Sequence, residues 1–377
     1  MRAGRTNVRD VRELLERLVA IESVNPTLVA GGAGEAEISR FVGMWLERHG
    51  LKVELQTLDA GRPNVIGRVR GSGGGRSLIM NGHLDTVGLG GADAGLTPRV
   101  EGARLFGRGA YDMKGSLAAI MLAAADAATR GLRGDVIVTA VVDEEHASIG
   151  TEAVVETVRA DAAIVAEPTE LRLALVHKGF VWLEIETRGR AAHGSRPDLG
   201  VDAIVLMGRV LVRVGELDRS LRETELHPLL GSGSLHASLI EGGQELSTYP
   251  DRCAVKLERR TVPGETPERV EEELRELVRG LEASVKRLFA RQPLATGAEE
   301  EIVDVLRESA NRILDEPPEI VGVPFWTDAA LLSAAGIPTI VFGPSGAGAH
   351  AETEWVDLED VAKTSDILLA TASTFCA

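Results

Sequence analysis

Apolar residues recur along this chain in two rhythms, and the change between them divides it. "VIVTAVV" (136–142), "AAIVA" (162–166) and "PTIVF" (338–342) are unbroken apolar runs, the pattern of strands covered on both faces. Around them "GSLAAIMLAAADAATRG", "TEAVVETVRA", "EEIVDVLRESANRIL", "TDAALLSAAG" and "DLEDVAKTSDILLATAS" carry apolar residues at helical spacing. Alternating strands and helices predict an α/β fold with a mostly parallel central sheet flanked by helices. Nearer the start, "RDVRELLERLVAI" and "AEISRFVGMWLERHG" read as helices, the second stopped by Gly50. "LKVELQT" and "NVIGRVRG" alternate like strands. The glycine run "GSGGG" then predicts a flexible hairpin turn into "RSLIMNGH". It is not a phosphate loop, because no Lys-Ser/Thr follows and the strand comes after it, not before.

The middle of the chain reads differently. "FVWLEIETRG" alternates strictly, which suits a sheet with one wet face. "GVDAIVLMGRVLVRVGEL" is helical, "GSLHASLIEGG" and "DRCAVKLERRTV" are strand-like, and Thr266-Pro267 opens another helix before the strand "SVKRLF". These elements predict a small α+β sandwich inserted into the α/β pattern. The expected main domain is 1–176 with 293–377, and the expected insertion is 177–292.

Composition narrows the function. A chain of 377 residues exceeds one hydrophobic core. Its net charge of -16, with no basic block, argues against nucleic acid and against an anionic membrane surface. Two cysteines make no disulfide framework and fit a reducing compartment. The first residues are charged throughout, without the apolar core of a signal peptide, and no window approaches a membrane span. A soluble cytoplasmic protein is expected.

The candidate chemistry collects at strand ends, where open α/β sheets bind ligands. "SLIMNG" ends in His83 and Asp85, "RLFGRGAY" leads to Asp112, and "VIVTAVV" ends in Asp143, Glu144 and Glu145. "AAIVA" ends in Glu167, and "PTIVFG" runs on to His350 and Glu352. A lone His-x-Asp or "DEEH" is ordinarily a solvated strand end. Five such ends on one sheet edge need a cation, since packed carboxylates would otherwise repel and hold their protons. Histidine with Asp and Glu is a ligand set for divalent metal, zinc above all. Two Zn²⁺ balance three carboxylates, for which Asp112, Glu145 and Glu167 are available, plus one hydroxide. Residues two apart on a strand share a side, so Asp85 is placed to hold the second nitrogen of His83. Of Glu144 and Glu145, one can bind metal while the other takes a proton from a water that metal has acidified.

"NGHLDTV", "GRGAYDMKGSLAA", "VVDEEHASIGTEA", "AEPT" and "GAGAHAETEWV" resemble, in order, the signature segments of the zinc-dependent deacylase and exopeptidase family. That family includes acetylornithine deacetylase, succinyl-diaminopimelate desuccinylase, aminoacylase and glutamate carboxypeptidase. The resemblance implies two Zn²⁺, with Co²⁺ or Mn²⁺ as substitutes. His83 and Glu167 would bind one, Glu145 and His350 the other, and Asp112 would bridge them. It also implies Asp85 steadying His83, Glu144 as general base, and a cis bond between Asp112 and Met113. The inserted domain would serve as lid and dimer contact. Within it "GRAAHGSRPDLGVDAI" resembles the segment whose histidine, here His193, contacts the scissile carbonyl. "YPDRCAVKLERRTVPGET" resembles the strand whose arginine, here Arg260, takes a substrate carboxylate. Ser247 stands where many relatives carry Asn. Lys178, Thr327 and Asp328 fall in family-like segments near the pocket.

The expected activity is a di-zinc amidohydrolase that cleaves N-acyl amino acids, resembling acetylornithine deacetylase and working as a homodimer. A metallo-carboxypeptidase or dipeptidase of the same fold is the alternative. A non-catalytic amino-acid or peptide binder is a further one, and it would be expected to have lost the base or a ligand. A dinucleotide enzyme is disfavoured: "GRGAYD" lacks the third glycine and "GPSGAGAH" has the wrong spacing.

Overall fold

A computed structural model describes residues 6–58, 61–90, 95–224 and 227–377. The chain forms two compact units. One takes the residues up to Leu175 with Thr296–Val321 and Thr327–Ala377, the other Val176–Ala295 with Gly322–Trp326.

The apolar runs form the centre of the first unit. Val136–Val141, Leu78–His83, Ala162–Val165 and Thr339–Val341 lie side by side in that order, all parallel. Every residue in these four strands is buried. The flanks are antiparallel: Pro63–Val69 and then Lys52–Thr57 on one side, Leu173–His177 on the other. The sheet is therefore mixed, parallel only where helices must cross between neighbouring strands. Helix Gly115–Ala127 packs against Leu358–Phe375 and Val8–Ala20, and its alanines leave room for close approach. Ile120 and Met121 on it are fully buried; cutting either to alanine costs about 2–5 kcal/mol.

The glycine run is not a hairpin turn. Val136–Val141 lies between Pro63–Val69 and Leu78–His83, so the two strands it joins are not neighbours. The backbone of Arg133 and Gly134, leading into the intervening strand, passes against the run. A Cβ on Gly71 would sit 2.2 Å from the Arg133 carbonyl oxygen, and one on Gly75 2.3 Å from the Gly134 nitrogen.

A second, four-stranded sheet in the same unit pairs Gly346–Ala347, Trp355–Asp357, Arg104–Phe106 and Arg99–Glu101, all antiparallel.

The second unit is an antiparallel sheet in the order Ser234–Gly242, Arg252–Thr261, Gly179–Arg188 and Ala283–Arg291. Its alternation is the one read from "FVWLEIETRG". Val181, Leu183, Ile185, Val255 and Leu257 form a core with Met207, Val210 and Val214 of helix Ala203–Glu223 and with Val270 and Leu274 of helix Pro267–Leu277. Asp202 and Thr266 cap these helices through their side chains. Val176, residues 293–295 and Gly322–Trp326, read from sequence as part of the main domain, belong to this unit. Gly322 lies against Leu229 and Leu230, Lys178 N donates to the Val323 oxygen (3.4 Å), and Trp326 packs on Phe180.

Candidate active site

Three parallel strands of the first unit deliver residues from their carboxyl ends. His83 closes Leu78–His83, Glu144 and Glu145 follow Val136–Val141, and Glu167 follows Ala162–Val165. The sequence also placed Asp112 and His350 on the edge of this sheet. They come instead from the small antiparallel sheet. Arg104–Phe106 feeds the kinked turn Ala110–Lys114, which contains the cis bond Asp112–Met113, and the hairpin between Gly346–Ala347 and Trp355–Asp357 carries His350. Gly109 enters that turn at φ 76°, and a Cβ there would lie 2.7 Å from Thr86 Cγ2. Asp143 and His350 both adopt left-handed backbone, at φ 68° and 63°.

These residues converge. His83 Nε2 is 3.0 Å from Asp112 Oδ1 and 3.5 Å from Glu167 Oε1. His350 Nε2 is 3.4 Å from Asp112 Oδ2 and 3.0 Å from Glu145 Oε2. Asp112 thus turns one oxygen toward each imidazole. Two sets, His83 with Glu144 and Glu167, and His83 with Asp112 and Glu145, each bring their ligand atoms within 4.8 Å of one another. Glu144 and Glu145 sit in a turn, not on extended chain, which is why both carboxylates reach the cluster.

Carboxylates outnumber imidazoles in this cluster, and that sets its electrostatics. Burial, then the Glu167 charge, pushes the Glu144 carboxyl well above its usual range. Burial does the same to Glu167, against the pull of His83. Burial alone would lower the His83 pKa, but its bond to Asp112 and the surrounding carboxylates raise it well above normal. His350, held by Asp112 and Glu145, is raised to about 10. Burial leads the two glutamate shifts and neighbouring carboxylates add to them; a cation bound among these groups would favour their charged forms. Glu145 Oε1 is buried and has no hydrogen-bond partner among the described residues. An orphaned carboxylate oxygen within a His/Asp/Glu set fits a divalent ion.

Asp85 lies beyond the end of the strand, so strand alternation does not orient it. His83 Nδ1 is 2.9 Å from the Asp85 carbonyl oxygen and 3.6 Å from its carboxylate. The carboxylate instead accepts the backbone N–H groups of Glu144 (3.1 Å) and Glu145 (3.2 Å) and the Asn25 amide (2.7 Å). Burial raises its pKa to about 7. Behind it runs a network with no sequence signal. Asn25 also donates to Asp143 Oδ1 (3.0 Å), Arg62 Nη1 donates to the same oxygen (2.9 Å), and Glu35 grips Arg62 through both carboxylate oxygens. All five side chains are buried. Glu354 was also missed. It accepts the N–H groups of Gly109, Tyr111 and Asp112 (2.9–3.0 Å) and pairs with Arg108, clamping the turn that carries Asp112. The only hint was a glutamate four residues past His350.

Thr327 and Asp328 are buried in the first unit. Thr327 Oγ1 accepts from Ala329 N, and Asp328 takes the Thr151 hydroxyl at 2.6 Å. The Asp328 charge helps raise the Glu144 and Glu167 pKa values. In the second unit His193 is exposed, its Nδ1 2.8 Å from Ser195 Oγ, and its backbone bridges to Thr248 beside Ser247. Arg260 is partly exposed and donates from Nε to Glu258 (2.7 Å). Lys178 Nζ donates to the Ser232 carbonyl oxygen at 2.7 Å.

Parallel strand ends that supply one imidazole and three carboxylates, met by Asp112 and His350 from a second sheet, make a set able to hold divalent metal for hydrolysis. Peptidase family M20/M25/M40 matches residues 79–374, and the chain belongs to that family. It is 33% identical over 352 residues to an acetylornithine deacetylase of Myxococcus xanthus, a match covering 88% of this chain and 90% of that one. Among solved structures, aminopeptidase PepT of Bacillus cereus shares the fold with a TM-score of 0.81 at 19% identity, over 99% of this chain and 100% of that one. A dinuclear metal-binding peptidase of the M20 family from Bacillus subtilis matches with a TM-score of 0.75 at 16% identity, over 98% of each chain. The protein is a hydrolase of amide bonds. Among the described residues no helix is long and apolar enough to cross a membrane.

Proposed function

We propose that this protein is a di-zinc deacylase of N-acyl amino acids. The observation that carries the reading is Asp112, with one oxygen toward His83 and the other toward His350. His83 with Glu167, and His350 with Glu145, would each hold one ion, with Asp112 shared. Bound there, two divalent ions would acidify a water and polarise the acyl carbonyl. Glu144 takes the proton of the attacking water and returns it to the departing amine nitrogen. Asp85 holds the Glu144 and Glu145 amides, fixing both carboxylates. By the family resemblance, His193 donates to the developing oxyanion and Arg260 takes the substrate carboxylate. The likeness to the Myxococcus xanthus deacetylase supports the deacylase reading. The two cysteines are free, which fits a cytoplasmic setting.

The same reading includes a homodimer through the second unit. Helix Ala203–Glu223 exposes Val205 and Val212, and Ser234–Gly242 is an edge strand exposing Leu239 and Ile240. An exposed apolar edge strand calls for a partner. Sedimentation showing only monomer at micromolar concentration would remove the dimer.

The activity is tested by screening N-acetyl and N-succinyl amino acids and dipeptides with added Zn²⁺ or Co²⁺. Acyl amino acids should be cleaved, chelation should abolish turnover, and Zn²⁺ should restore it. Cleavage of dipeptides alone would replace the deacylase reading with the peptidase one.

A further inference from the structure

The run "AEPT" supplies Glu167, but nothing in the sequence gives its threonine a task. The folded chain does. Strands Ala162–Val165 and Thr339–Val341 run side by side and parallel. Backbone bonds hold the sheet as far as Ala166 N to the Asn81 oxygen and Phe342 N to the Val165 oxygen, both 3.0 Å. Glu167 comes next, and Pro168 after it has no N–H to anchor the chain.

Beyond that point one side chain ties the two strand exits together. The Thr169 hydroxyl accepts the Gly343 N–H at 3.0 Å and donates to the Arg172 oxygen at 2.6 Å; the Gly343 oxygen, at 3.4 Å, is its longer alternative. Thr169 is only 3% exposed, so water does not compete for these partners. The turn it closes is a strained one. Glu170 and Leu171 both adopt left-handed backbone, at φ 57° and 59°, and neither is glycine. Such backbone persists only where its surroundings fix it. Gly343 in turn lies against the Glu167 peptide. A Cβ there would sit 2.4 Å from the Glu167 carbonyl oxygen and 2.5 Å from that of Ala166. The hydroxyl therefore holds the very backbone on which Glu167 is packed.

We infer that Thr169 is the positioning residue of Glu167. Its hydroxyl sets where the Glu167 carboxylate stands beside His83, and so sets the affinity of one metal site and not of the other. The inference rests on the reading that His83 and Glu167 hold one ion of a pair. Glu145 reaches the cluster from a different turn, whose amide Asp85 holds, so its site does not depend on Thr169.

Thr169→Val keeps the side-chain shape and removes the hydroxyl, leaving the Gly343 N–H and the Arg172 oxygen without it. Two backbone bonds of the turn survive the change, Leu171 N to the Gly343 oxygen (2.9 Å) and Arg172 N to the Thr169 oxygen (3.0 Å). The turn should shift without being lost.

The test is to titrate the zinc-loaded chain with a chromophoric chelator and follow release of each ion. Thr169→Val should weaken one ion about 10–100-fold, as loss of a contact behind a ligand does, and leave the other unchanged. Thr169→Ser, which keeps the hydroxyl, should match the wild type. In a Glu167→Ala background Thr169→Val should add nothing, whereas in a Glu145→Ala background its effect should persist. This pairing separates positioning from a general loss of fold, which would appear in both backgrounds. Equal weakening of both ions, no weakening, the same loss in both backgrounds, or failure of Thr169→Ser to match the wild type overturns the inference. Each of those results leaves the two-ion reading standing. A wild type that holds fewer than two zinc ions sinks that reading and this inference with it.

Discussion

The two units handle polar side chains in opposite ways. In the first, Glu35, Arg62, Asp143, Asn25 and Asp85 are buried and bonded in sequence, and the last link fixes the amides of Glu144 and Glu145. In the second, Arg260, Glu258 and Trp182 share a partly exposed sheet face. A buried charge must have every partner in place or it is costly, so a buried network holds one geometry. A half-exposed face can exchange a partner for water or ligand at little cost. A catalytic constellation needs the first kind of surface.

Substitutions can break that contrast in order of effect. Glu144→Ala should lower kcat about 10²–10⁴-fold and leave bound metal, measured by elemental analysis, intact. Full turnover would remove Glu144 from the proton path. Arg62→Ala strands Glu35 and Asp143 in the interior. It should cost about 3–5 kcal/mol in denaturant unfolding and lower kcat about 10–100-fold, as loss of a supporting contact does. Arg62→Lys should not rescue it, since an ammonium cannot reproduce the fork. If Arg62→Ala is stable and fully active, the network positions nothing. Arg260→Ala should raise KM for N-acyl amino acids about tenfold or more with little change in melting temperature. A large loss of stability there would make Arg260 structural. Asn7→Ala removes the side-chain cap of helix Val8–Ala20; it should cost about 1 kcal/mol and leave kcat and KM alone.

The four buried central strands were legible because each must be apolar on both faces, and the inserted sheet because its strands alternate. Long-range order was less legible. "GSGGG" looked like a hairpin because nothing local announces that Val136–Val141 passes between the strands it joins. Asp112 and His350 were named from the sequence, but their route through a separate small sheet was not, since two- and three-residue strands leave no periodicity. Arg62, Asn25 and Glu354 escaped because their partners are backbone amides and carboxylates distant in sequence. A polar residue shows its burial only after the chain has folded.

From its sequence alone this protein is an α/β chain with an inserted alternating sheet, and it carries imidazole and carboxylate groups of the kinds that can hold divalent metal. Periodicity and residue chemistry are local properties, so they survive in one dimension. Tertiary structure decided that Asp112 turns an oxygen to each imidazole and that Asp85 holds two backbone amides. Those are distances between segments far apart along the chain, set by register and packing.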